Sequence, residues 1–182
     1  GRFSAMARLR SAGLASALLA TLALAGPAAA SDDEAFFQNV FGRWTGPGEI
    51  VAGKYKGTKF NCDLSGLKPG AKIGMTLDGT CRVGMFSQPM TAEFLQGGTS
   101  YKGSFLDGSG GKGLDIVSGD VDGDRIVVGL DRKQLKGAMV ARLDGSDKLA
   151  VTISVQVGGE LVPVIGMNLK RDESVKRASL AD

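Results

Sequence analysis

From Trp44 to Lys170 the chain carries no convincing helical period. Short runs of alternating apolar and polar residues are cut instead, every few residues, by Gly, Asp or Pro. Phe60, Cys62 and Leu64 interleave with Lys59, Asn61 and Asp63, and Val151, Ile153, Val155 and Val157 with Thr152, Ser154 and Gln156. Successive side chains of a strand point to opposite faces, so each run predicts a strand with one buried face. Ile73, Met75 and Leu77, then Met90, Ala92 and Phe94, then Ile126, Val128 and Leu130 repeat the rule, for a total of about ten strands.

Turn chemistry joins them. KPGA at Lys68, LDGS at Leu106, DVDGDR at Asp120, LDGSD at Leu143 and VGGE at Val157 hold residues that tolerate the positive φ of tight hairpins. Connections this short make neighbours antiparallel. The apolar face must then be covered by sandwiching or by closure, and closure also removes the exposed edges. The expected fold is all-β, an antiparallel up-and-down β-barrel of about ten strands over residues 31–170. A two-sheet sandwich is the alternative. A short N-terminal helix precedes it as a plug: Ser31 and Glu34 have capping-box spacing, and Phe37, Val40 and Phe41 share a helical face before Gly42. Only 8 Phe, 2 Tyr and 1 Trp serve the chain, too few to furnish the two aromatic girdles of a membrane barrel.

Residues 1–30 read differently. MARLR from Met6, the apolar SAGLASALLATLALA and then GPAAA predict a secretory signal peptide cleaved before Ser31, and hence a periplasmic protein with no membrane span after cleavage. The chain's formal charge is +3. Arg2, Arg8 and Arg10 of the leader account for it, so the remainder is neutral and asks for neither nucleic acid nor an anionic membrane as partner. Cys62 and Cys81 would meet an oxidising compartment, where a disulfide is the default. Closing a loop of about 20 residues between them contributes roughly 3 kcal/mol. Residues 171–182, with mixed charge and no apolar period, are expected to form a polar C-terminal tail.

Gly42, Arg43 and Trp44 place G-x-W at the start of the first strand, just after the short helix. This resembles the calycins, the lipocalin and fatty-acid-binding type barrels. Gly42, Trp44, Gly46 and Gly48 in GRWTGPG resemble more closely the G-x-W-x-G-x-G of the nitrobindin-like ten-stranded barrels. The resemblance implies that Trp44 packs across the closed end of the barrel. It departs at one place: those barrels hold haem through a histidine, and this chain has none. The resemblance thus implies the scaffold without the cofactor, and no cofactor is expected.

The missing histidine also removes Ser-His and Cys-His nucleophile pairs, histidine acid–base catalysis and His-containing zinc sites. No catalytic constellation is left, and a non-enzyme is expected. Asp120, Asp122 and Asp124, with Asp131 further on, superficially resemble a calcium loop, but Arg125 stands where the loop requires Gly. A hairpin turn is the preferred reading, and no metal site is expected. GSGGKG lacks the Ser or Thr after Lys112 and the helix of a phosphate loop. Arg132, Lys133 and Lys136 read as a solvated turn.

The interior is left as the candidate site. Alternation points Trp44, Phe60, Leu64, Met75, Leu77, Phe94, Phe105 and Val128 inward, and with 28 glycines in the chain the side-chain volume is modest for filling a wide barrel. The expected function is non-catalytic binding of a small apolar or amphipathic ligand by that lining. The alternative is an envelope structural or interaction protein, for instance a protease or lysozyme inhibitor, that meets a protein partner through loops such as LDGSGGKG and LDRKQLKG.

Overall fold

The computed structural model describes residues 31–106 and 114–173. The expected leader, the GSGGKG segment and the tail beyond Glu173 lie outside the described residues. Helix α1, Asp32–Val40, begins where the Ser31 hydroxyl accepts the Glu34 N–H at 3.2 Å, with Asp32, Asp33 and Glu34 in its first turn. Both features satisfy the free amides and positive dipole end of a helix N-terminus. The helix stops at Phe41, whose backbone is extended and whose N–H donates to the Phe37 carbonyl. Phe36, Phe37 and Val40 are its buried residues.

Ten strands follow: β1 Gly42–Ile50, β2 Lys59–Leu67, β3 Gly74–Val83, β4 Phe86–Gly97, β5 Ser100–Leu106, β6 Leu114–Asp122, β7 Arg125–Arg132, β8 Leu135–Asp144, β9 Lys148–Val157 and β10 Glu160–Arg171. Each pairs antiparallel with its sequence neighbours, and β1 pairs with β10, so the sheet closes into a barrel without edges. The sandwich alternative is excluded by that closure. Register shifts at Ile116/Ser118 in β6 and at Pro163/Ile165 in β10 reset the alternation locally.

An up-and-down barrel sends its connections alternately to two ends. The β2–β3, β4–β5, β6–β7 and β8–β9 turns share one end with α1, which reaches Gln96 and Tyr101 through Asp33. The other end collects the β1–β2, β3–β4, β7–β8 and β9–β10 connections. The core begins under the helix, where Phe37 packs on Phe94 and Tyr101 at ring-centroid distances of 5.7 and 5.6 Å, and continues through Ile126, Val128 and Leu130.

Three sequence expectations shift. Ile73 precedes its strand, although it still packs on the core. Val157 continues an inward series by parity but is exposed, because β9 ends there and Gly158 and Gly159 turn the chain with φ of 59° and 86°. The tail does not start at 171: Arg171 belongs to β10, and the Asp172 N–H donates to the Arg43 carbonyl at 2.8 Å.

Candidate functional site

The Gly-Arg-Trp stretch joins helix, first strand and last strand. Trp44 is 2 % exposed, and its indole N–H donates to the Val40 carbonyl at 3.0 Å, on the last residue of α1. Arg171, its cross-strand partner on β10, lays its guanidinium 4.3 Å from the indole ring centre. The same guanidinium donates to the carbonyls of Phe41 at 2.7 Å, Ser146 at 2.8 Å and Asn39. A cation on the open carbonyls of a helix C-terminus satisfies them and opposes the negative dipole end. Glycine at 42 permits this approach: its φ is +116°, and a Cβ there would stand 2.9 Å from Arg171 Nη1. At Gly48 a Cβ would lie 2.2 Å from Cε2 of Phe60, so the ring occupies the space a side chain would need.

Two polar contacts secure the surroundings. On the outer face, Arg43 forks onto Asp63 with both carboxylate oxygens, and this bidentate hydrogen bond holds the Asp63 carboxyl below its usual range. Tyr101 is 1 % exposed, and its hydroxyl donates to Asp33 Oδ2 at 2.5 Å. Burial, and then that hydrogen bond, pushes the phenol well above its ordinary pKa.

Below α1 the barrel encloses a cavity of about 100 Å³ whose surface is wholly apolar. Of the eight residues expected to line it, Trp44, Leu64, Met75, Leu77, Phe94 and Phe105 do so. Phe60 and Val128 do not border it. Phe60 packs against Gly48, and Val128, with 0 % exposure, sits in the solid part of the core. Sequence reasoning missed Phe36 and Val40, which form the roof from α1, and Met90, Met139 and Met167 on the walls. Inward parity on β4, β8 and β10 carries the methionine signal. The roof has no such signal, because only the docking of the helix decides what it covers.

Cys62 and Cys81 face each other across β2 and β3, with Cα atoms 4.0 Å apart, and form a disulfide. Cys81 lines the cavity, and Cys62 Sγ lies 3.9 Å from Met167 Sδ. As a bridged pair they have no thiolate to offer a metal or an electrophile. Asp131 cannot join Asp120, Asp122 and Asp124 around one ion, since the acidic triplet flanks the β6–β7 turn while Asp131 pairs with Asp115 near the far end of β7, roughly 20 Å away at strand rise. Among the described residues no cluster of three or more potential metal ligands occurs. No helix among them is long and apolar enough to cross a membrane.

No family model matches this chain, and no curated protein matches it. Solved structures do. The structure of Rv2717c from M. tuberculosis superposes with a TM-score of 0.58 at 16 % identity, covering 79 % of this chain and 98 % of that one. A protein of unknown function from the DUF3598 family of Nostoc punctiforme gives a TM-score of 0.49 at 14 % identity, covering 75 % of this chain and 49 % of that one. The first likeness shows a shared barrel fold.

Proposed function

We propose that this barrel is an exported, non-catalytic binding protein of calycin-like build whose ligand is a small, compact apolar molecule held beneath α1. The observation that carries the reading is the cavity of about 100 Å³ without a polar atom on its surface. Cavities of that character stay dry, and one of about 150 Å³ accepts benzene or xenon. Sites for drug-sized molecules run to roughly 300–1,000 Å³, so a long acyl chain or a porphyrin is too large for the space as it stands. A wholly apolar wall gives an amphipathic ligand's head group no partner inside, which narrows the expected ligand to its apolar side. With nothing in the wall to move a proton or stabilise a developing charge, binding is the chemistry this arrangement can do. The basic-then-apolar leader pattern and the disulfide support a periplasmic location.

The test is calorimetry and thermal unfolding with benzene, toluene, indole and xenon beside decanoate and palmitate. Saturable binding of the compact ligands, with a rise in Tm that grows with ligand concentration, is the expected result. Absence of saturable binding by every compact apolar ligand overturns the reading.

A further inference from the structure

Isolated exposed apolar side chains are ordinary on a protein surface, but here they are sorted by place. Among the described residues, all the exposed large apolar side chains except Leu67 and Val117 lie at the end of the barrel opposite α1. Tyr55 stands on the β1–β2 connection, Met85 and Phe86 on the β3–β4 turn, Leu135 on β7–β8, and Val157 and Leu161 on β9–β10. Met85 is 100 % and Phe86 82 % exposed, although each is costly to leave in water. Four separate hairpins thus present apolar tips around one rim.

The charges are sorted too. Lys54, Lys56, Arg82, Lys133 and Lys136 flank those tips and are exposed, and the Lys54 ammonium lies 5.5 Å from the Tyr55 ring centre. Glu49, Asp115, Asp131 and Glu160 also stand at this end, where the bases, with Lys59 and Arg132, outnumber them. The helix end carries Asp32, Asp33, Glu34, Asp122, Asp124 and Asp147 but also Lys68, Lys72, Arg125, Lys148 and Arg171, so among the described residues the basic excess marks the opposite end alone. Near-neutral composition conceals this polarity, and for that reason net charge alone did not point to an anionic surface.

We propose that the end of the barrel opposite α1 docks on an anionic phospholipid bilayer, with the hairpin tips inserted at the interface and the flanking lysines and arginines on the head groups. Separated tips with cations between them suit a fluid interface, where apolar and aromatic tips enter and basic side chains reach up to phosphates. A protein partner would instead be expected to bury a contiguous patch depleted of lysine at its centre. Docking is independent of the cavity: it requires no ligand, and the cavity requires no bilayer.

The test places a reporter on a tip of the full chain. Phe86→Trp is mixed with vesicles of phosphatidylglycerol and phosphatidylethanolamine containing brominated lipid, and the emission of Trp44 in the wild-type chain, measured in parallel, is subtracted. A local reporter separates the tips from any binding by the N-terminal apolar run. The expected result is a blue-shifted, quenched emission at residue 86. Binding to that face should weaken about tenfold with Lys133→Gln and Lys136→Gln together, as it should in phosphatidylcholine vesicles. Met85→Ser with Phe86→Ser, at positions whose exposure spares the fold, should lower vesicle co-sedimentation, and Leu67→Ser at the helix end should not. An unshifted, unquenched reporter overturns the proposal, as does equal insertion into phosphatidylcholine. A concentration-dependent dimer abolished by Phe86→Ser also overturns it, and assigns the rim to a second copy of the chain.

Discussion

Arg171 on the last strand stacks 4.3 Å over the ring of Trp44 on the first, while its nitrogens hold the carbonyls of Asn39 and Phe41 at the end of α1. One side chain thereby ties barrel closure to the helix that roofs the cavity. The guanidinium makes a cation–π contact and several charge-assisted hydrogen bonds at once, and an ammonium cannot copy that fork. Arg171→Ala is expected to lower stability by about 2–4 kcal/mol in urea unfolding, with Arg171→Lys recovering less than half. Full recovery by lysine would mean that charge alone matters. Trp44→Ala, which also leaves the Val40 carbonyl without its donor, should cost about 3–5 kcal/mol.

Two strand glycines separate close approach from mere permissiveness. A Cβ on Gly46 would meet the Asn168 carbonyl oxygen at 2.2 Å, whereas one on Gly166 meets nothing within 4 Å. Gly46→Ala should destabilise by about 1–3 kcal/mol because backbone must move. Gly166→Ala should be neutral or stabilising by about 0.4–1 kcal/mol through the unfolded chain. Thermal unfolding of both proteins checks the contrast.

The disulfide spans a sequence separation of 19. Its removal by Cys62→Ala with Cys81→Ala should cost about 3 kcal/mol by loop-closure entropy. Dithiothreitol should lower the urea midpoint of the wild-type protein and leave that of the double variant unmoved.

Tyr101 links stability to alkaline pH. Its folded pKa is raised by burial and by the hydrogen bond to Asp33, so its contribution is fully present below the unfolded value of about 10. As pH climbs from there through the folded value the contribution is lost, because the unfolded chain releases the proton first. Stability should therefore fall above about pH 10, and the fall should be shallower in Tyr101→Phe, in unfolding curves taken from pH 8 to 11.

Ala92 lines the cavity. Ala92→Leu projects three more carbons into that space, so saturable binding of compact apolar ligands should disappear while stability stays within about 1.5 kcal/mol of wild type. Binding that survives this substitution would place the ligand elsewhere.

Much of the barrel was legible because its signals are local. Gly123 and Gly145 turn where their Asp-Gly steps predicted, with φ of 61° and 66°, and the chain's two cysteines, Cys62 and Cys81, form the expected disulfide. The lining was only partly legible. Parity says that Phe60 and Val128 point inward but not at which height, and height decides whether a side chain borders space or fills it. Phe36 and Val40 escaped notice as lining because a helix has no parity with the barrel.

By itself the sequence determined the strand alternation and the hairpin turns. Each depends on neighbours within a few residues, where backbone sterics and side-chain periodicity act directly. Tertiary structure alone decided that Trp44 meets Arg171, that the enclosed space is about 100 Å³, and that apolar tips and basic residues gather at one end. Those features arise only when strands far apart in the chain close around a common axis, and no local period carries that information.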